Sequence, residues 1–324
     1  MGLLEEAEKK RKLLVTLTKK KKKYIDYIEP KKKKIIIEGI KKQRQKIDIS
    51  AIAESIKKEM SSQQVKPAVV DKNIAGKKGG KEYVVTGVPG FDGLLDEGIP
   101  AGNSVIVAGG AGSGKTIFCL QTLVNKAKEG KKCLYMSLEE SEEKLTQHMK
   151  DFGWPADELI AKKKLKLLRL NPFEITRKVD ALLAKQKGEL LIEVEPVLLP
   201  TDFAKPDFVV IDSLTAIASA FTGKDDSYRI YIEQLFRFLE KTGATSFLIT
   251  ETEQIPKIFS QSGVEEFLAD GVFVLYAIKH GNFRENAIEI LKLRGAAHQK
   301  KIVSMQISSQ GVTVYPEQEV FSEI

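Results

Sequence analysis

The stretch Gly109-Gly110-Ala111-Gly112-Ser113-Gly114-Lys115-Thr116 decides the fold. It satisfies G-x-x-x-x-G-K-[ST], the pattern of a phosphate-binding loop. An apolar run, Ser104-Val105-Ile106-Val107-Ala108, precedes it, and Ile117-Phe118-Cys119-Leu120-Gln121-Thr122-Leu123 follows with helical character. That is the strand–loop–helix context the pattern requires. Glycines allow backbone N–H groups to turn inward around an anion, and the following helix points its positive end at the same spot. The candidate nucleotide contacts are therefore Gly109, Gly110, Ala111, Gly112, Ser113, Gly114, Lys115, Thr116 and Ile117. Lys115 is expected to reach the β- and γ-phosphates, and the Thr116 hydroxyl to serve Mg²⁺.

Working outward, the charge divides the chain into two parts. Residues 1–81 carry 24 Lys and Arg against 10 Asp and Glu, whereas residues 82–324 carry 28 against 34. A mildly acidic domain over 82–324 thus follows a strongly basic extension and linker over 1–81. The arm holds lysine runs at 19–23 and 31–34, Pro30 between them, and an Ile49, Ile52, Ile56 stripe behind Asp48 that fits a short helix. Residues 61–82 read as a linker.

From Tyr83 onward, strands at 104–108, 133–138, 207–211, 245–250, 271–277 and 287–293 alternate with helices at 115–128, 141–151, 175–186, 227–241 and 263–268. Such alternation predicts a doubly wound α/β fold with a mainly parallel sheet covered on both faces. A terminal β-hairpin is expected around Ser309-Gln310-Gly311, and an irregular insertion over 188–206. The two cysteines, Cys119 and Cys133, make no disulfide framework and suit a reducing cytoplasm. No apolar run approaches the length of a membrane span, and Met1-Gly2-Leu3-Leu4 gives way at once to charge, unlike a secretory signal.

A phosphate loop needs a second group for Mg²⁺. Phe208-Val209-Val210-Ile211-Asp212 supplies an acid at the carboxyl end of an apolar strand, where open α/β sheets place their ligands. Hydrolysis also needs a group that activates water. Leu134-Tyr135-Met136-Ser137-Leu138 ends in Glu139-Glu140, with Glu139 the candidate general base and Glu140 its assistant. Spacing alone leaves a second reading open, that both are carboxylates at the start of the helix announced by Ser141-Glu142-Glu143.

Several blocks in order resemble the KaiC-like branch of the RecA-type ATPases, which includes archaeal single-domain members. They are Thr86–Asp92, Gly98–Gly102, Glu139-Glu140-Ser141 with Phe152-Gly153-Trp154, Asp212–Thr215, Gly263–Asp270 and Lys292-Leu293-Arg294-Gly295 with His298. The likeness runs from about Val84 to Phe321. It implies a RecA-like fold, ATP and Mg²⁺ as ligands, Glu139 and Glu140 as catalytic carboxylates, and a ring, expected to be a hexamer, with ATP between neighbours. It further implies that Lys292, Leu293, Arg294 and His298 touch the nucleotide of the adjacent copy, the cations offsetting charge on the transferring phosphoryl group. Without the resemblance, Lys292 and Arg294 read as an exposed basic pair. Ala296 stands where the family often has a hydroxyl residue.

The expected function is Mg²⁺-dependent ATP hydrolysis by a ring-forming regulatory ATPase. Two rivals share the site: an autophosphorylating Ser/Thr kinase and a DNA-binding recombination mediator. The basic arm admits three partners: nucleic acid through phosphate neutralisation, anionic lipid, or a protein. Its cations are lysines apart from Arg11 and Arg44, which argues against bidentate base readout.

Overall fold

A computed structural model describes residues 77–320, except 79, 172–173, 176, 179–180, 182–194, 198, 222–224, 255, 257, 261 and 281–282. Residues 1–76 of the basic extension, with its lysine runs and expected short helix, lie outside the described residues, as does most of the helix expected at 175–186.

A short antiparallel entry sheet forms from β1 (Lys77–Lys78), β2 (Lys81–Val84) and β3 (Ile99–Pro100). The link from β2 to β3 is organised by Asp92, whose carboxylate accepts from Thr86 N (2.8 Å), Thr86 Oγ1 (2.9 Å) and Gly87 N (2.8 Å). Asp92 therefore explains the Thr86–Asp92 block structurally, as a side chain satisfying donors that the turn leaves over.

Among the described residues the main sheet has nine strands. They are β4 (Ser104–Gly109), β5 (Cys133–Ser137), β6 (Leu165–Arg169), β7 (Phe208–Asp212), β8 (Thr245–Glu251), β9 (Gly271–His280), β10 (Phe283–Leu293), β11 (Val303–Ser308) and β12 (Gly311–Glu319). Their spatial order is β12-β11-β10-β9-β4-β8-β7-β5-β6. The strands from β9 through β6 in that order run parallel, and β10, β11 and β12 continue antiparallel. The doubly wound, mainly parallel reading holds, and so does the terminal hairpin. The strand β6 is additional to the expected elements. Its sequence Leu-Lys-Leu-Leu-Arg is polar for a parallel strand because it lies at the sheet edge, with a half-solvated face.

Period-two alternation sorts the strand residues between two apolar layers. Val105 and Val107 of β4 join Phe273, Leu275 and Phe247 in one, while Ile106 and Ala108 join Leu248, Val272 and Val274 in the other. The first layer is covered by α1 (Lys115–Lys128), α2 (Glu142–Asp151) and α3 (Ala156–Ala161). Phe91 packs edge-on against Phe118 of α1 and Phe273 of β9, each at 5.0 Å between ring centres. The second layer is covered by α4 (Leu214–Ser219) and α5 (Asp225–Thr242), where Tyr228, Tyr231, Ile232, Leu235 and Leu239 recur at helical spacing. Burial on both faces explains why β4, β5 and β7 are near-continuous apolar runs. Among the described residues, no helix is long and apolar enough to cross a membrane.

Candidate functional site

The parallel strands deliver their carboxyl ends to one edge of the sheet, and the loop after β4 opens there. The backbone permits little substitution in it. A Cβ on Gly109 would stand 2.3 Å from the Leu275 carbonyl oxygen, and Gly114 adopts φ +96°, a left-handed conformation that favours glycine. Lys115 begins α1 and is buried; its Nζ donates to the carbonyls of Gly109 (2.9 Å) and Gly110 (3.0 Å). Burial lowers the Lys115 pKa, against the opposing pull of Glu251, then Asp212 and Glu139. A cation held in a buried glycine loop is the donor set that a phosphate chain matches. The Ser113 hydroxyl, fully buried in the same loop, has no hydrogen-bond partner.

Asp212 closes β7, beside β5 and β8. Its Oδ2 accepts from Thr116 Oγ1 at 3.2 Å and from the buried Tyr135 hydroxyl of β5. Burial pushes the Asp212 pKa up to about 6; the Tyr135 hydrogen bond opposes that, and the charge of Glu139 adds to it. Thr116 and Asp212 thus form an oxygen pair of the kind that suits Mg²⁺. The peptide bond from Asp212 to Ser213 is cis.

Glu139 lies outside any helix. The helix α2 starts at Glu142, with Ser141 Oγ capping Lys144 N at 3.3 Å. Ahead of it, Ser137 Oγ accepts from the backbone N–H groups of Glu139 (3.1 Å) and Glu140 (2.8 Å). The two carboxylates then diverge. Glu139 is exposed and accepts from Ser213 Oγ at 2.6 Å. Glu140 turns back along α2 to Lys144 Nζ (2.9 Å) and His148 Nδ1 (3.3 Å).

Four further residues contribute, of which Ser213 falls in the Asp212–Thr215 block and Glu251 follows a strand without an assigned role, while Tyr135 and Gln254 carry no site pattern in the sequence. Tyr135 sits inside an apolar strand and reads as core until Asp212 is placed opposite its hydroxyl. Ser213 reads as a helix cap, and it does accept from Ala216 N at 3.1 Å. Glu251 ends β8 opposite Gly109 in the strand register, and its N–H donates to Thr215 Oγ1 at 2.8 Å. Gln254 Nε2 donates to Ala111 O of the phosphate loop at 3.1 Å.

Lys292, Leu293, Arg294 and His298 lie elsewhere. Leu293 pairs with Gly271, which pairs with Val105, so the end of β10 meets the amino ends of the parallel strands. From Val105 to the phosphate loop at Gly109 is four residues, or roughly 13 Å along the strand. Lys292 Nζ donates to the carbonyls of Glu266 (2.7 Å) and Ala269 (2.6 Å), and Arg294 Nη2 to Phe267 O (2.9 Å). Both cations thereby cap α6 (Val264–Leu268) at its negative end. Burial, then the charge of Arg294, lowers the Lys292 pKa. His298 forms a bridge with Leu95, and its ring nitrogens are buried without a hydrogen-bond partner. Within one chain these residues and the phosphate loop occupy opposite ends of the sheet.

Cys119 and Cys133 are both buried, free thiols, their pKa values raised by burial. Among the described residues no cluster of His, Cys, Asp or Glu has metal-centre geometry.

The family described as "ATPase: KaiC" matches residues 84–319. The chain is 32% identical over 241 residues to the circadian clock protein KaiC3 of a Synechocystis species, covering 73% of this chain and 46% of that protein. It is 29% identical over 235 residues to the circadian clock oscillator protein KaiC of Parasynechococcus marenigrum, covering 71% and 44%. The chain therefore spans less than half the length of these relatives. A crystal structure of a KaiC-like protein from the hyperthermophilic archaeon Pyrococcus horikoshii superimposes with a TM-score of 0.59 at 29% identity, covering 72% of this chain and 99% of that one. The phosphate loop, the carboxyl-edge acids and these likenesses agree, and the chain belongs to the KaiC-like family of RecA-type P-loop ATPases.

Proposed function

We propose that the chain binds ATP with Mg²⁺ and hydrolyses it to ADP and phosphate, as a ring-forming regulatory ATPase. The observation that carries this reading is the convergence of Lys115, the Thr116–Asp212 pair and the Ser213-bound Glu139 at one edge of the sheet. The loop amides and Lys115 hold the phosphates. Thr116 and Asp212 are the residues that would hold Mg²⁺, which supplies charge neutralisation at the phosphate oxygens when bound. Glu139 takes a proton from water, and Ser213 keeps its carboxylate in place. Glu140, paired with Lys144 and His148, anchors the loop to α2 and contributes to Glu139 through shape rather than proton exchange.

Lys292 and Arg294 act on the site of a second copy, because the sheet separates them from their own. That reading supports a closed ring, with a hexamer as the expected size. Residues 82–324 constitute the ATPase domain, in the cytoplasm, and residues 1–81 a basic extension that reaches an anionic or protein partner.

Steady-state hydrolysis of Mg·ATP by wild type and variants tests the proposal. Lys115→Ala should lose nucleotide binding and turnover. Glu139→Gln should bind ATP and turn over slowly. Arg294→Ala should keep the fold and slow hydrolysis. A ring of Arg294→Ala that hydrolyses ATP at the wild-type rate would falsify the role of a neighbour's cation.

A further inference from the structure

The amino ends of β5, β6 and β7 gather lysines that the phosphate site does not use. Three segments meet there, 126–132, 158–166 and 202–207. Cys133 pairs with both Leu165 and Phe208 in the strand register, Lys164 Nζ donates to Gly130 O at 2.6 Å, and Lys132 N donates to Asp207 Oδ2 at 2.7 Å. Together the segments hold nine lysines, no arginine and four acids. The rest of residues 82–324 holds 19 basic and 30 acidic residues. The cluster is therefore a positive island in an acidic domain, not a sample of its composition.

The four acids are already engaged. Glu129 pairs with Lys126 (2.7 Å), Glu158 with Lys162 (2.5 Å) and Asp202 with Lys166 (2.7 Å), while Asp207 takes the Lys132 amide. Among the described residues Lys128, Lys131, Lys132, Lys163 and Lys205 form no ion pair, and all but half-buried Lys131 are exposed. Helix ends absorb little of this charge. α1 and α3 both finish here, and each carboxyl end attracts about half a positive charge, so the pair offsets about one of an excess of five.

Lys163 adds a separate observation. α3 closes with Lys163 N on Ile160 O and Lys164 N on Leu159 O, both at 2.9 Å. That closure needs a residue in the left-handed region, where glycine is the norm. α1 closes on Gly130 (φ +88°) and α2 on Gly153 (φ +71°). α3 closes instead on Lys163 at φ +53°, the one non-glycine residue with positive φ among the described residues. A cation thus stands in the cluster at a position that backbone sterics reserve for glycine.

Charge density selects the partner. Adjacent strands lie about 4.8 Å apart, so β6, β5 and β7 span about 10 Å. Over that length a nucleic-acid duplex presents roughly six phosphate charges. An extended acidic peptide presents about three side chains, alternate ones facing away. Lysine is a point charge that suits phosphate, and the arginine fork that reads carboxylates and bases is missing from the cluster. We propose that this lysine cluster binds the phosphate backbone of nucleic acid without reading sequence. α1 runs from Lys115 in the phosphate loop to Lys128 in the cluster, a rise of about 20 Å, so the two anion sites are separate.

The first test is lysine acetylation of the full chain, mapped by mass spectrometry with and without random-sequence duplex DNA. Lys131, Lys132 and Lys163 should lose reactivity, and exposed Lys241 at the end of α5 should keep it. Protection confined to lysines before residue 82 assigns the DNA to the basic extension and overturns the cluster. The second test is DNA affinity measured against salt. The triple variant Lys131→Glu, Lys132→Glu, Lys163→Glu should lower the slope of log affinity on log salt by about three, with ATP hydrolysis in the absence of DNA unchanged. Lys163→Gly relieves the backbone, so it should fold at least as stably as wild type and still lower the slope by about one. An unchanged slope in both variants overturns the proposal. Protection of the same lysines by polyglutamate or anionic vesicles, but not by the duplex, overturns the choice of partner.

Discussion

Ser213 donates to Glu139 Oε1 at 2.6 Å, tying the residue after β7 to the loop after β5. The bond joins the segment that carries Asp212 to the acid proposed to activate water. An exposed carboxylate with free rotamers would sample many positions, and this bond selects one. Ser213→Ala should leave ATP affinity nearly unchanged and lower kcat by about tenfold, against a loss of about 100-fold or more for Glu139→Gln. Pre-steady-state binding and turnover separate the two effects. A Ser213→Ala enzyme with wild-type kcat would remove the serine from the mechanism.

Asp212 makes the stability of the ligand-free protein pH-dependent. Its folded pKa of about 6 lies above the ordinary carboxylate value of 3.8, so between those values the folded state binds the proton more tightly than the unfolded chain. Stability from this group is therefore full at low pH and is lost as pH rises toward 6 and beyond. The ionised form is disfavoured by about 3 kcal/mol. Asp212→Asn should flatten this part of the profile and raise the Tm of the ligand-free protein at pH 7.5, while removing the effect of Mg²⁺ on ATP binding. Thermal unfolding from pH 4 to 8 in Mg²⁺-free buffer is the measurement, and an unchanged slope would contradict the assignment.

Lys115 carries a cost of the opposite chemical kind. A buried ammonium with a lowered pKa is held at the loop for its ligand more than for the fold. Lys115→Met should unfold at the same or a higher temperature than wild type without nucleotide. Adding Mg·ATP should raise the wild-type Tm by several degrees and leave the variant unmoved. Parallel thermal shifts decide it.

Gln121 fastens the phosphate-loop helix to the last strand. Its Oε1 accepts from Val312 N at 2.6 Å, and its Nε2 donates to Val312 O at 3.1 Å, all in the core. Gln121→Leu keeps the size but leaves both Val312 groups buried and unpaired. The expected loss is about 2 kcal/mol in chemical denaturation. A neutral substitution would mean that the β12 backbone finds other partners.

Much of this architecture is legible in local patterns. The glycine-rich loop at 109–116 needs no long-range information, because backbone sterics and the strand–helix context suffice. The apolar strand that ends in Asp212, and the one that stops two residues before Glu139, also reveal themselves, since burial on two faces leaves a run that only an acid interrupts. The edge strand β6 was hidden by its lysine and arginine, which one solvated side tolerates. Tyr135 was hidden for the opposite reason: its ring belongs to the core, and only the sheet order places its hydroxyl on Asp212.

Sequence by itself determined the ligand class, the α/β alternation and which acids end which strands, because each follows from residue type within a single element. Tertiary structure decided how those ends are shared. Parallel pairing brought Lys115, Asp212 and Glu139 to one edge, and the antiparallel turn from β9 into β10 carried Lys292 and Arg294 to the other. Strand direction is a property of pairing, not of composition. It alone separates the residues gathered at the phosphate loop from the two cations at the opposite end of the sheet.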